Sequence, residues 1–242
     1  MRCRPLACAL LSVVVVATTT AARSKSQGPA PAGRPDRVTS AAIWQPGMDF
    51  LREAHEACDR LHAPDYGGCF VDQMARAGAP AAAVAFARRL NERPDGQGIV
   101  GVLRDFRDTG RVDLAFVFYP LRANENEGCL LVNGLPSLID VDSRAWLPDE
   151  ALEKNRTYAA LALQYPQISL WPGDRFGSRF ARAMAGPQGG QRFIFPYLLR
   201  DGCHACATIG TVQIAFDFDR TGGFLGTHLL RVTAAPPLRR RR

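Results

Sequence analysis

The chain has 242 residues, 47% of them hydrophobic, with 30 basic and 23 acidic side chains and a formal charge of +7. That length makes one large domain or two small ones. The basic excess is mostly terminal: two arginines lie in the first four residues and four in the run 239–242, so the body between is close to neutral. Without basic residues interleaved with aromatics, it is a poor candidate for nucleic-acid binding.

The first 22 residues read as a secretory signal. Arg2 and Arg4 form a positive head, an apolar run extends from Leu6 to Ala17, and Thr20 and Ala22 supply small residues at the −3 and −1 positions of a cleavage site. The apolar run is too short to span a bilayer, and no later window is apolar enough, so no integral membrane segment is expected. Residues 23–40, rich in Pro, Gly and Ser, read as a flexible linker. "GMDFLREAHEACDRLHA" then places Phe50, Leu51, Ala54, Cys58 and Leu61 at helical spacing. "CFVDQMARAGAPAAAVAFARRLNERP" reads as two helical pieces, with Pro80 at the first turn of the second.

The period changes after Pro94. "GIVGVLRDF", "VDLAFVFYP" and "CLLVNGLPSLIDVD" are strand-like, and Asn133-Gly134 is the strongest short hairpin signal in the chain. "LPDEALEKNRTYAALALQYP" returns to helix, and "QISLWPGD" is a short strand leading into an Arg- and Gly-rich loop that runs to about Gln191. "RFIFPYLL", "TVQIAFDFD" and "FLGTHLLRV" are three more strands, the last two joined as a hairpin by "DRTGG". Val212, Ile214, Phe216 and Phe218 share one face at period two, and strict alternation puts His228 with Phe224, Leu230 and Val232. Helices and then strands thus occur twice, in an N-terminal half (41–142) and a C-terminal half (143–234), with a basic tail over 235–242. Hairpin-linked strands imply antiparallel sheets with helices packed on one face, and the class is α+β.

An exported chain is expected to oxidise its cysteines. Removing the signal leaves five: Cys58, Cys69, Cys129, Cys203 and Cys206. The expected pairs are Cys58–Cys69 and Cys203–Cys206, with Cys129 the odd, buried thiol, although connectivity cannot be read from sequence alone. A Cys58–Cys69 bridge ties one helix end to the next helix start, worth about 2–3 kcal/mol in the chain-entropy model.

Cys203-His204-Ala205-Cys206 admits three chemistries. A redox pair needs its first cysteine at a helix N-terminus, whose dipole lowers the thiol pKa; here the motif runs directly into a strand. A zinc site needs further ligands beyond two thiolates, and only His228 on the neighbouring strand is a candidate. The third reading is a loop closed by its own disulfide that holds His204 between two strands. A pre-ordered loop loses less freedom on docking.

The stretch from Phe193 to Val232 resembles the C-terminal part of the vertebrate-lysozyme inhibitor (Ivy) family of exported bacterial α+β proteins. The shared order is a helix, a Trp-containing segment (Trp171 here), "RFIFPYLL", "GCHAC", "TVQIAFDFD" and "GGFLGTHLL". The resemblance implies a histidine on a disulfide-closed loop that enters a lysozyme active site and meets its catalytic carboxylates, a role that only His204 matches. The family loop has four residues between its cysteines; this one has two. The first half is similar only in a general way to exported bacterial proteins of no assigned function.

Asp105, Asp108, Asp113, Glu125, Glu127, Asp140 and Asp142 show no spacing suited to an acid–base pair and read as turn and solvent-face residues, and no nucleophile elbow is present. Arg175, Arg179, Arg182 and Arg192 crowd one loop and suit an anionic glycan or lipid headgroup. The expectation is therefore an exported, periplasmic or extracellular, non-enzymatic envelope protein with no cofactor and no metal. Its partner-binding residues are His204, Cys203 and Cys206, and its partner is a lysozyme-type hydrolase. The alternatives are anion binding through the Arg loop, and a thiol-redox or zinc protein using the Cys-x-x-Cys.

Overall fold

A computed structural model describes residues 37–93, 100–122, 126–173 and 182–236. These form an α+β fold of five α-helices and nine strands. In chain order they are α1 (Met48–Arg60), α2 (Tyr66–Arg76), α3 (Ala81–Asn91), β1 (Val102–Arg107), β2 (Asp113–Phe118), β3 (Glu127–Val132), β4 (Leu138–Asp140), α4 (Asp149–Glu153), α5 (Arg156–Gln164), β5 (Ile168–Pro172), β6 (Arg182–Ala185), β7 (Gln191–Asp201), β8 (Thr208–Phe218) and β9 (Phe224–Ala234). The strands make two antiparallel sheets. One has the order β1-β2-β3-β4; the other has β5-β7-β8-β9, with β6 also paired to β7. The signal segment, the linker up to residue 36 and the tail from 237 lie outside the described residues.

The first three helices pack with one another and on the outer face of the four-stranded sheet. Leu51, Ala54 and Cys58 of α1 meet Phe70, Val71 and Met74 of α2 and Ala83 and Ala87 of α3. The alanines of α3 bring it close to β1, while its Phe86 and Leu90 reach Ala115 and Val117 on β2. Asp65 caps α2 by accepting a hydrogen bond from Gly68 N at 2.9 Å. Cys58 and Cys69 lie at disulfide distance, with Cα atoms 5.8 Å apart, and join α1 to α2 as the spacing suggested.

Alternation along β2 explains the layering. Leu114 and Phe116, with Val112 just before the strand, face the five-stranded sheet, whereas Ala115, Val117 and Tyr119 face the helices. The inner faces of the two sheets share one core, in which Phe193, Phe195, Tyr197 and Leu199 of β7 and Val212, Ile214, Phe216 and Phe218 of β8 meet Leu114, Phe116, Cys129 and Leu131. Polar links cross the same gap. Tyr197 Oη donates to Val141 O at 2.5 Å, and the Gln191 amide accepts from Val112 N at 2.9 Å and donates to Thr109 O at 2.8 Å.

Five local expectations change. The single helix expected between Pro148 and Pro166 is two, because Asn155 accepts from Thr157 N and Tyr158 N and starts α5 afresh. The Asn133-Gly134 turn closes over residues 133–137 and is not a two-residue loop: Asn133 has φ +68°, Asn133 N donates to Ser137 O, and Leu135-Pro136 is cis. The loop before Gln191 contains a short strand, β6. Asp113, expected at the solvent face, is fully buried. Arg37 and Asn133 donate to its Oδ2 at 2.8 and 2.7 Å, and Thr109 N and Gly110 N to its Oδ1 at 2.9 and 3.2 Å, so its charge and lone pairs are matched by four donors. The last residues of the expected linker are docked there as well. Val38 is buried and exchanges two hydrogen bonds of 2.8 Å with the Asn133 amide.

Candidate functional site

β7 and β8 pair from Gln191↔Phe218 to Arg200↔Thr208, with a register shift between Leu199 and Arg200, and residues 202–207 join their ends. Asp201 N donates to Ala207 O at 3.1 Å and Cys206 N to Cys203 O at 3.0 Å, so the backbone closes the turn twice. Cys203 and Cys206 lie at disulfide distance with Cα atoms 5.0 Å apart. Arg200 Nη1 donates to Cys206 O at 2.9 Å and buttresses the far side. Gly202 has φ +93°, a conformation that glycine adopts without a Cβ penalty. The chain passes from Cys206 almost at once into β8, so no helix dipole acts on either sulfur.

The loop also leans on β5. Ile168 and Leu170 pack inward on the shared core, which turns Ser169 and Trp171 to the outer face of the sheet. Trp171 Nε1 donates to Ser169 Oγ at 2.7 Å and to Gly202 O at 3.2 Å, and Ser169 Oγ donates to the same carbonyl. Above this clasp the His204 ring meets the Trp171 ring edge to face, with centroids 5.2 Å apart and planes at 72°. Such pairs contribute about 0.5–1.5 kcal/mol beyond their buried area. His204 is therefore neither a free tip nor a core residue: it is half-buried, fixed on one side by an indole, while Cys203 beside it is exposed.

The remaining predicted residues divide. Cys129 is buried on β3 in the shared core and belongs to neither pair. Arg175 and Arg179 lie outside the described residues, and Arg182 starts β6. Arg192 is engaged: its Nε and Nη2 each donate at 2.6 Å to the fully buried Asp217, and these hydrogen bonds raise the guanidinium pKa still further. His228 adds a third contact, Nε2 to Asp217 Oδ2 at 3.2 Å. It does not share a face with Phe224 and Val232, because bulges at Gln213/Ile214 and Asp217/Phe218 shift the register. Phe224, Leu229 and Val232 pack inward, and His228 is half exposed opposite Ala215, some way along the strand from the Cys loop. Among the described residues no group of three or more His, Cys, Asp or Glu is placed to hold a metal ion.

Sequence reasoning missed Trp171 and Ser169 as partners of the loop. The signal was partial: the alternation in "ISLW" puts both on one face, but which strand lies beside β7 depends on a crossover through the residues between β5 and β7. Compared with known proteins, the chain matches no family model, no curated protein and no solved structure.

Proposed function

We propose that this is an exported, non-enzymatic cell-envelope protein that binds a protein partner through the stapled loop 202–207, and that the partner is a lysozyme-type hydrolase. The observation that carries the reading is the fixed placement of His204. A loop closed by a disulfide and two backbone hydrogen bonds, and clasped to β5, holds one imidazole beside the exposed residue Cys203 at the end of the sheet. Ordering a flexible side chain costs about 0.5–1.5 kcal/mol at an interface, and here most of that ordering precedes binding.

The chemistry suits a cleft lined by carboxylates. An imidazole N–H donates to a carboxylate oxygen, and a protonated ring adds charge to that hydrogen bond. The resemblance to the lysozyme-inhibitor family points to the same kind of partner, with a tighter loop. The anion-binding alternative is weakened by the engagement of Arg192 with Asp217. The reading is tested by a cell-wall lysis assay with the purified protein and a His204→Ala control. The wild type is expected to slow lysis and the variant to lose at least about tenfold of that inhibition, the scale of a central interface residue. If neither protein slows lysis, the reading fails.

A further inference from the structure

We infer that Trp171 is the positioning residue of this site, and that β5, through Trp171 and Ser169, holds His204 in its binding orientation. The inference rests on the proposed role of His204, but its first test does not.

Trp171 is half-buried on the open face of the sheet, while its neighbours Ile168 and Leu170 serve the core. Its one polar hydrogen is directed to Ser169 Oγ and Gly202 O, the carbonyl that opens the loop. Its ring surface is directed to His204. Both contacts reach residues 202–204, and neither reaches the partner strand Leu198 with which Trp171 is registered. The disulfide fixes the ends of a four-residue ring; it does not fix the χ angles of the histidine inside that ring. The indole contacts one side of the imidazole. Gly202 completes the device, because its φ of +93° aims the carbonyl at β5, and a Cβ there would come within 3.3 Å of Gln167 Oε1. Reduction of the disulfide and removal of the indole should therefore act on the same imidazole by separate routes.

The test uses the whole protein labelled in its histidine rings. Four histidines are present, and His204→Ala assigns one set of ring resonances. In the wild type the His204 ring protons should be displaced by the indole ring current relative to those of exposed His62. Trp171→Leu should return them to the exposed position, and Trp171→Phe should restore part of the displacement. In the lysis assay Trp171→Leu should weaken inhibition on the order of tenfold, with Trp171→Phe between it and the wild type. Ser169→Ala, which keeps the ring and removes the clasp, should broaden the His204 resonances; it also serves if Trp171→Leu does not fold. Unchanged His204 resonances in both Trp171→Leu and Ser169→Ala would overturn the inference. A wild-type protein without effect on lysis would instead overturn the hydrolase reading, and the resonances alone would then decide the role of Trp171.

Discussion

The two disulfides differ in sequence separation, 11 against 3, and in their surroundings. Cys58–Cys69 joins α1 and α2 with Cys58 fully buried, among Phe70, Met74 and Leu51. Cys203–Cys206 closes a hairpin end with Cys203 exposed and no core residue inside its ring. The first lies where removal opens a cavity between helices. The second lies where removal frees a loop whose flanking strands pair from Gln191↔Phe218 to Arg200↔Thr208. A staple in a core serves stability; a staple at a sheet end serves the shape of what the loop presents.

Breaking each staple sharpens that contrast. The largest effect is expected from Cys58→Ala/Cys69→Ala: about 3 kcal/mol from chain closure, with lost packing at Cys58 in addition, read by denaturant unfolding. Cys203→Ser/Cys206→Ser should cost about 2 kcal/mol or less, because only four residues lie in its ring. Equal losses for the two pairs would contradict the contrast. Next comes Asp65→Ala beside the first staple, worth about 1 kcal/mol as a helix N-cap. The Gly68 N–H and then the Asn91 amide hold the Asp65 carboxyl below its ordinary value. Its contribution is therefore complete above about pH 4, the usual carboxylate pKa, and is lost as pH falls through the lower native value; the deficit of Asp65→Ala should close in acid. Asp219, at the β8–β9 turn, is lowered by the Thr221 hydroxyl and then by the Gly223 N–H, and should show the same direction. His204→Ala should cost about 0.5–1.5 kcal/mol, the contribution of its edge-to-face contact with Trp171.

Much of this contrast was legible in the residues. The period change after Pro94 separated helices from strands, because an amphipathic helix and a half-buried strand cannot share one apolar spacing. Cys58 and Cys69 flank a break between two helical patterns, so their pairing came from local order. His228 and Asp113 were misplaced for one reason: alternation is a local rule, and non-local pairing decides its phase. Two bulges in β8–β9 moved His228 outward. Docking of residues 37–38 onto β2 and Asn133 buried Asp113. For the site, the Cys loop and His204 were visible as a motif, whereas the Trp171 clasp depends on β5 lying beside β7, a contact between residues more than 30 apart in sequence.

The most direct test of the central claim sets the two staples against each other in one lysis assay. At a temperature where both double variants are folded, Cys58→Ala/Cys69→Ala should inhibit like the wild type, whereas Cys203→Ser/Cys206→Ser should lose about tenfold as its loop must order on binding. Inhibition by Cys203→Ser/Cys206→Ser equal to that of the wild type would contradict the account.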